Sequence, residues 1–452
     1  MCTKNTWKSK PASRPEWTCW PNAASSLFLD KPHEKKHLHL SDMHGYSRLA
    51  IEATLGVTDM VEAMHHNILK LPLPFGKSTP APRTPTGVHG AVYKVLQKSS
   101  GVVYDAVRGV TQLVGKGLDA TFGHMYPELS HTNSSDERAA FLSAVNGVLG
   151  DHMAASGNPL TIQMGFRRNG QVLPITPAAL AKAIPDASGK ILLMVHGHCM
   201  NELQWRRNGH DHGEVLGAAN GYTPMYIRYN TGLHISQNGR AFAAQLEELV
   251  QAWPVPVEEI CIVGYSMGGL VARSAFHYAA QAQCTWLGHA HKLIFMGTPH
   301  HGSMVEQAGN MIDLALEVSP YSVALSRLGH IRSAGTTDLR HGNLIDEDWA
   351  GRNRFAHPKD QRHLSQLPPD VQCYAIAAMI AKEHCEIRGK LFGDGLVPLR
   401  SALGHHKDEE RALTFSEGHS KVFYGLSHLG LLDSQDVCAQ LQQWIGNGAR
   451  HD

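Results

Sequence analysis

The stretch "CIVGYSMGGLVARSA", residues 261–275, sets a serine between glycines where an apolar run ends and a helical pattern begins. Gly264-Tyr265-Ser266-Met267-Gly268 has the pattern G-x-S-x-G, which alone is common in a glycine-rich chain. Its context gives it meaning: Ile260–Val263 reads as a strand leading in, and the residues from Gly269 read as a helix leading out. A serine on so tight a turn needs small neighbours, because the helix must cross close to the strand. The turn lifts the Ser266 hydroxyl above the sheet edge, the position of a nucleophile.

A serine hydroxyl is a weak nucleophile without a base, and the base needs a carboxylate to fix its tautomer. Among 30 histidines, His428 ends the strand-like run "KVFYGLSHLGLL" and precedes a helix over 435–444. It is the expected base, whereas His405, His406 and His419 fall in a polar stretch and read as solvated loop residues. Asp394 lies between glycines in "FGDGLVPLRSALG", after the penultimate strand, and is the expected acid. Asp346 and Asp348 in "NLIDEDW" are rivals that precede that strand. Two backbone N–H groups are expected to receive the developing oxyanion. One is that of Met267, just after the serine. The other is that of His198 in "LLMVHGHCMN", where Gly197 lets the chain turn close.

His196-Gly197-His198 also admits a metal reading, but no further ligands follow at a recognisable spacing. The run His210, Asp211, His212, Glu214 and the pair His65-His66 read as polar surface. No cofactor and no metal site are therefore expected.

Working outward, "LTIQMGFRRNGQVLPI" alternates around Asn169-Gly170, a hairpin signal. Short apolar runs follow at 190–198, 223–230, 258–266, 291–300 and 371–380, most of them separated by helical patterns such as "GRAFAAQLEELVQAW". That alternation predicts an α/β fold, a largely parallel sheet covered by helices on both faces. Residues 302–350 form a long insertion whose apolar positions, Ile312 to Ile331, read as a helical cap over an apolar cleft or, alternatively, as a pair of ordinary packed helices.

Upstream, residues 1–30 are polar and are expected to be disordered. Residues 31–155 form an N-terminal helical extension interrupted by a proline-rich linker at 70–87. Within it, the valines between Val88 and Val114 recur at helical spacing and are expected to pack against the main domain; the competing expectation is contact with a lipid surface. Ser134 and Glu137 form a capping box that opens a helix at "DERAAFLSAVNGVLGDHM".

Lys plus Arg number 41 against 40 Asp plus Glu, so no global field recruits nucleic acid. Eight cysteines without a C-x-x-C pair favour a reducing compartment. The first twenty residues lack the apolar core of a signal peptide. A cytoplasmic protein, open to peripheral membrane contact through residues 88–120 or the cap, is expected.

The motifs "VHGH", "GYSMGGLVAR", "MGTPHHGS" and "GDGLVP" resemble, in this order, the landmarks of the lipase and GPI inositol-deacylase-like branch of the alpha/beta-hydrolases. The resemblance covers residues 160–452. It implies an alpha/beta-hydrolase domain over 156–452 and a serine esterase that cleaves carboxylic esters with an apolar acyl chain through an acyl-enzyme on Ser266. A small-molecule ester or lipid is the implied substrate. An acyltransferase using the same intermediate, and a lipid-binding scaffold with an idle site, are the alternatives. The helices before residue 155 and the histidine side chain at position 198 lie outside the family pattern.

Overall fold

A computed structural model describes residues 42–55, 105, 107–117, 119, 136–303, 332–354, 360–382 and 393–446. Within it, strand β5 (Glu259–Tyr265) shows how the sequence builds the core. Side chains alternate across a strand, so Ile260 and Ile262 enter one apolar layer while Cys261, Val263 and Tyr265 enter the other. A strand apolar at every position is stable only when both faces are covered. Each aliphatic side chain so buried contributes about 1.5–3 kcal/mol.

The sheet is completed by β1 (Gly165–Arg168), β2 (Gln171–Val172), β3 (Lys190–Val195), β4 (Thr223–Arg228), β6 (Ala290–Met296), β7 (Gln372–Met379) and β8 (Ser420–Tyr424), in the order β2-β1-β4-β3-β5-β6-β7-β8. The β1–β2 and β1–β4 pairs are antiparallel and all the others parallel. Asn169 and Gly170, with φ of 51° and 76°, make the expected two-residue hairpin turn between β1 and β2. The remaining apolar runs became strands within a few residues of their expected bounds.

Helix α1 (Asp136–Ala155) precedes the sheet, and α2 (Pro177–Ala183) follows the hairpin, its first turn capped by the Thr176 hydroxyl. One face of the sheet carries α4 (Ile235–Ala252) and α5 (Met267–Ala282), which contribute Phe242, Leu246, Leu270 and Val271 to the same layer as Ile260. The other carries α3 (His212–Asn220) and α6 (Gln435–Gly446), with Leu216, Val437, Leu441 and Trp444. This is the alpha/beta-hydrolase architecture expected from the sequence.

Two expectations about the surroundings fare differently. Most of the insertion, including Ile312 to Ile331, lies outside the described residues, as do the linker 70–87 and residues 1–30. The valine stripe is corrected where it is described: Val107, Val110 and Val114, with Leu113, are 40–72% exposed, while Val88 to Val103 lie outside the described residues. This helix packs at Gly115 instead. A Cβ on buried Gly115 would lie 3.1 Å from Ile51 Cδ1, and Asp119 pairs with His44 at 2.6 Å. With that face turned inward, the valines face outward. The segment 42–55 is itself tied to α1 and the turn after it, by the Asp42–Arg138 ion pair and by Arg48 donating to the carbonyls of Ser156 and Gly157. No helix among the described residues is long and apolar enough to cross a membrane.

Candidate active site

Ser266 stands between β5 and α5 with φ 53° and ψ −123°, a conformation that L-residues avoid and that functional turns retain. The flanking glycines are there for contact. A Cβ on Gly264 would lie 2.5 Å from the Gly269 Cα, and one on Gly268 would lie 2.2 Å from the Val195 carbonyl oxygen. Any larger residue would push α5 off the sheet. The Ser266 amide donates to the Met296 carbonyl at 2.8 Å, locking the turn to the end of β6.

Asp394 follows β7, in the turn that leads toward Pro398. Its Oδ1 accepts from the amides of Leu396 and Val397 at 3.0 and 2.8 Å, and its Oδ2 accepts from His428 Nδ1 at 2.6 Å. The His428 amide also donates to the Asp394 carbonyl. Both residues are buried. Because the carboxylate can only accept, Nδ1 of a neutral His428 carries the proton, and Nε2 is left as a lone pair. That Nε2 is buried and has no hydrogen-bond partner among the described residues.

His428 lies beside the elbow. The Tyr265 ring, one residue before the serine, is 4.9 Å from the imidazole centroid, and its hydroxyl donates to the His428 carbonyl at 3.1 Å. On another side, a Cβ on Gly297 would lie 2.9 Å from His428 Cε1. The structure thus brings Asp394 and His428 into contact and sets the His428 ring against Tyr265, the residue before Ser266. Among the described residues no hydrogen bond joins Ser266 Oγ to His428 Nε2.

The proposed oxyanion donors sit on adjacent turns. A Cβ on Gly197 would lie 3.1 Å from the Ser266 Cβ, so the chain after β3 passes directly over the elbow. Neither the amide of His198 nor that of Met267 donates a hydrogen bond among the described residues. Met267 opens α5, where an orphaned N–H is expected. The His198 ring turns away, with Nε2 at 3.1 Å from Thr336 Oγ1. Burial pushes its pKa down to about 4, so it is neutral at pH 7 and adds no cation to the site.

The rivals are engaged elsewhere. Asp346 pairs with Arg240 at the surface. Asp348 accepts from the amides of Leu344, Ile345 and His363 and meets only the half-exposed His363 ring. His419 is stacked on Tyr374, and His406 packs near His301; neither approaches the serine turn by any contact seen here. His65 and His66 lie outside the described residues. The "GHDHGE" run departs from its expected place at the surface: His212 is fully buried, because it opens α3 against the turn that follows His428.

Sequence reasoning missed the support beneath "GTPHHGS". Buried Arg273, from the end of "GGLVAR", donates from Nη1 to His300 Nδ1 at 3.2 Å, and Arg362 donates to the His300 carbonyl at 2.9 Å. Burial and the neighbouring Arg362 push Arg273 down to about 9, still charged at pH 7. An arginine in an otherwise apolar helix face was the available signal.

Two buried histidines, His196 and His300, are expected to make the protein acid-sensitive. His196, stacked on Tyr229, is pushed to about 3 by burial, and His300 is pushed well below its usual value by burial and then by Arg273. Both are fully buried. In the unfolded chain they bind protons near pH 6.5, whereas the native state refuses them until much lower pH. Stability therefore falls as pH drops below about 6.5, by up to roughly 3 kcal/mol per pH unit for the pair. Denaturant midpoints measured between pH 7.5 and 5 should fall steeply; a flat profile would show that these rings are not buried neutral.

Compared with known proteins, the family described as "PGAP1-like alpha/beta domain" matches residues 186–371. No curated protein matches the chain. Similar solved structures include the mature form of Bacillus licheniformis lipase BlEst2, 16% identical with a TM-score of 0.37, covering 56% of this chain and 91% of that one. EstA from Clostridium botulinum is 12% identical with a TM-score of 0.37, covering 59% and 89%. Staphylococcus hyicus lipase is 12% identical with a TM-score of 0.29, covering 57% and 93%.

Proposed function

From the premise that the chain is a member of the alpha/beta-hydrolase superfamily, we propose that it is a serine hydrolase of carboxylic esters with an apolar acyl chain. The observation that carries this reading is the Asp394–His428 pair at 2.6 Å, whose outward nitrogen is buried and free beside a serine on a strained elbow.

In this reading His428 Nε2 takes the Ser266 hydroxyl proton as Oγ attacks the ester carbonyl carbon. The carbonyl oxygen becomes an oxyanion that accepts from the amides of His198 and Met267. The intermediate collapses, the bond to the alcohol oxygen breaks, and His428 returns its proton to that oxygen. Water then attacks the acyl-serine, giving its proton to His428, and Ser266 leaves as the hydroxyl with the acid released. Asp394 stays ionised throughout and stabilises the imidazolium.

The apolar acyl preference is supported by the apolar run Ile312 to Ile331 that follows "MGTPHHGS". A peripheral contact with a lipid surface belongs to the same reading, supported by the exposed Val107, Val110, Leu113 and Val114. So does a reducing, cytoplasmic setting, supported by the free thiols of Cys199, Cys261, Cys284, Cys373 and Cys438. The test is turnover of chromogenic esters of graded acyl length, with and without a competing alcohol. Hydrolysis rising with chain length is expected. Ester formation outpacing hydrolysis would make the chain an acyltransferase, and no turnover at any length would contradict the reading.

A further inference from the structure

A second cluster of chemically capable side chains lies behind the catalytic histidine, outside the machinery described above. The loop before α3 makes a tight turn at Asn208 and Gly209, with φ of 49° and 75°. It is closed by reciprocal backbone hydrogen bonds of 2.8 Å between Arg207 and His210. That turn holds His210 against His212, the first residue of α3. From α6 the buried Cys438 faces them, and a ring nitrogen of each histidine and the Cys438 sulfur all lie within 4.8 Å of one another.

The hydrogen bonds fix which atoms are available. His212 Nε2 lies 2.8 Å from the Leu431 carbonyl, which can only accept, so Nε2 carries the proton and Nδ1 presents a lone pair. His210 Nε2 approaches that lone pair at 2.8 Å, and Gln435 Nε2 lies 3.3 Å from the outer His210 Nδ1. An imidazole whose far N–H is anchored on a backbone carbonyl is the usual arrangement for a metal-ligating histidine. Two imidazoles and a thiol suit a borderline ion such as zinc rather than calcium or magnesium.

We infer that His212 Nδ1, His210 Nε2 and Cys438 Sγ form a zinc-class metal site, with the fourth position open to solvent on the side of His210, the least buried of the three. In a tetrahedral site these ligand atoms stand roughly 3.3 to 3.6 Å apart, so the rings spread by about half an ångström as the sulfur moves in. His210 shifts its proton from Nε2 to Nδ1, where the Gln435 amide, turned over, accepts it. The Cys438 thiol releases its proton to solvent, so one proton leaves per ion bound. Asp211 and Asp433 both act on His212 and offset the remaining positive charge.

The placement gives the site a purpose. It ties the start of α3 and the body of α6 to the turn Leu429–Leu432, whose N-terminal cap is His428. A metal there clamps the turn that carries the catalytic base, without touching substrate.

The full-length chain, stripped with a chelator and titrated with cobalt(II) alone, should show a thiolate-to-cobalt charge-transfer band and strong visible bands. Both should saturate at one equivalent and be displaced by zinc(II). Cys438→Ser should lose the charge-transfer band. His210→Ala, at a partly buried loop position outside the core, should weaken cobalt binding by more than about tenfold. Absence of the band in the unaltered chain, its persistence in Cys438→Ser, or unchanged affinity in His210→Ala would each overturn the site. Should Cys438→Ser fail to fold, the His210→Ala affinity decides alone.

Discussion

Turnover of Ser266→Ala and of His428→Ala on a short chromogenic ester should each fall by roughly a thousand- to a millionfold, and the double variant should be little worse than either. The reason is that neither group works alone. In the proposed mechanism the hydroxyl is activated only by His428 Nε2, a nitrogen with no hydrogen-bond partner among the described residues. Loss of Oγ leaves the elbow in place, because the strained backbone is held by the Met296 carbonyl and by the glycine contacts rather than by the hydroxyl. Ser266→Ala should therefore keep its melting temperature while losing activity. Losses that multiply in the double variant would mean that the two residues act independently, and the triad would be wrong.

The second large effect is expected at Asp394. In Asp394→Asn the amide nitrogen can donate to His428 Nδ1, which then accepts, so the ring proton moves to Nε2. A protonated Nε2 cannot take the serine proton. Turnover should fall by about ten-thousandfold with a nearly unchanged Michaelis constant. The backbone amides of Leu396 and Val397 can still donate to the side-chain oxygen, so folding should survive. Asp348→Asn is the control. Its carboxylate caps the turn at Leu344 and Ile345 and meets only His363, so stability should suffer while turnover per folded molecule stays near that of the unaltered chain. The opposite pattern would transfer the role to Asp348.

How much of this was legible follows from where each signal resides. The centre of the sheet was read well because its inner strands are buried on both faces and appear as unbroken apolar runs bounded by turns, as in "EEICIVGYS" and "HKLIFMGTPH". Ser266 was legible from the small residues that the strand-to-helix crossing demands, Asp394 from its place between Gly393 and Gly395, both with positive φ, and His428 from its place between a strand-like run and a helix. What failed depended on contacts between distant parts of the chain. The valines at 107, 110 and 114 form a stripe as regular as a core helix, yet the packed side is set by Gly115 against Ile51, a pairing no local pattern encodes. His212 sits in a polar run, and its burial comes from Leu431, more than two hundred residues away. The Arg273 and Arg362 support for His300 is likewise long-range.

The central claim is that Ser266 Oγ is the atom that becomes acylated. The most direct measurement is mass spectrometry of the full chain after reaction with a fluorophosphonate, followed by mapping of the modified peptide. One adduct per chain on the peptide containing Ser266, absent from Ser266→Ala, is the result this account predicts. An adduct on another serine, or none under conditions where the chain hydrolyses esters, would contradict it.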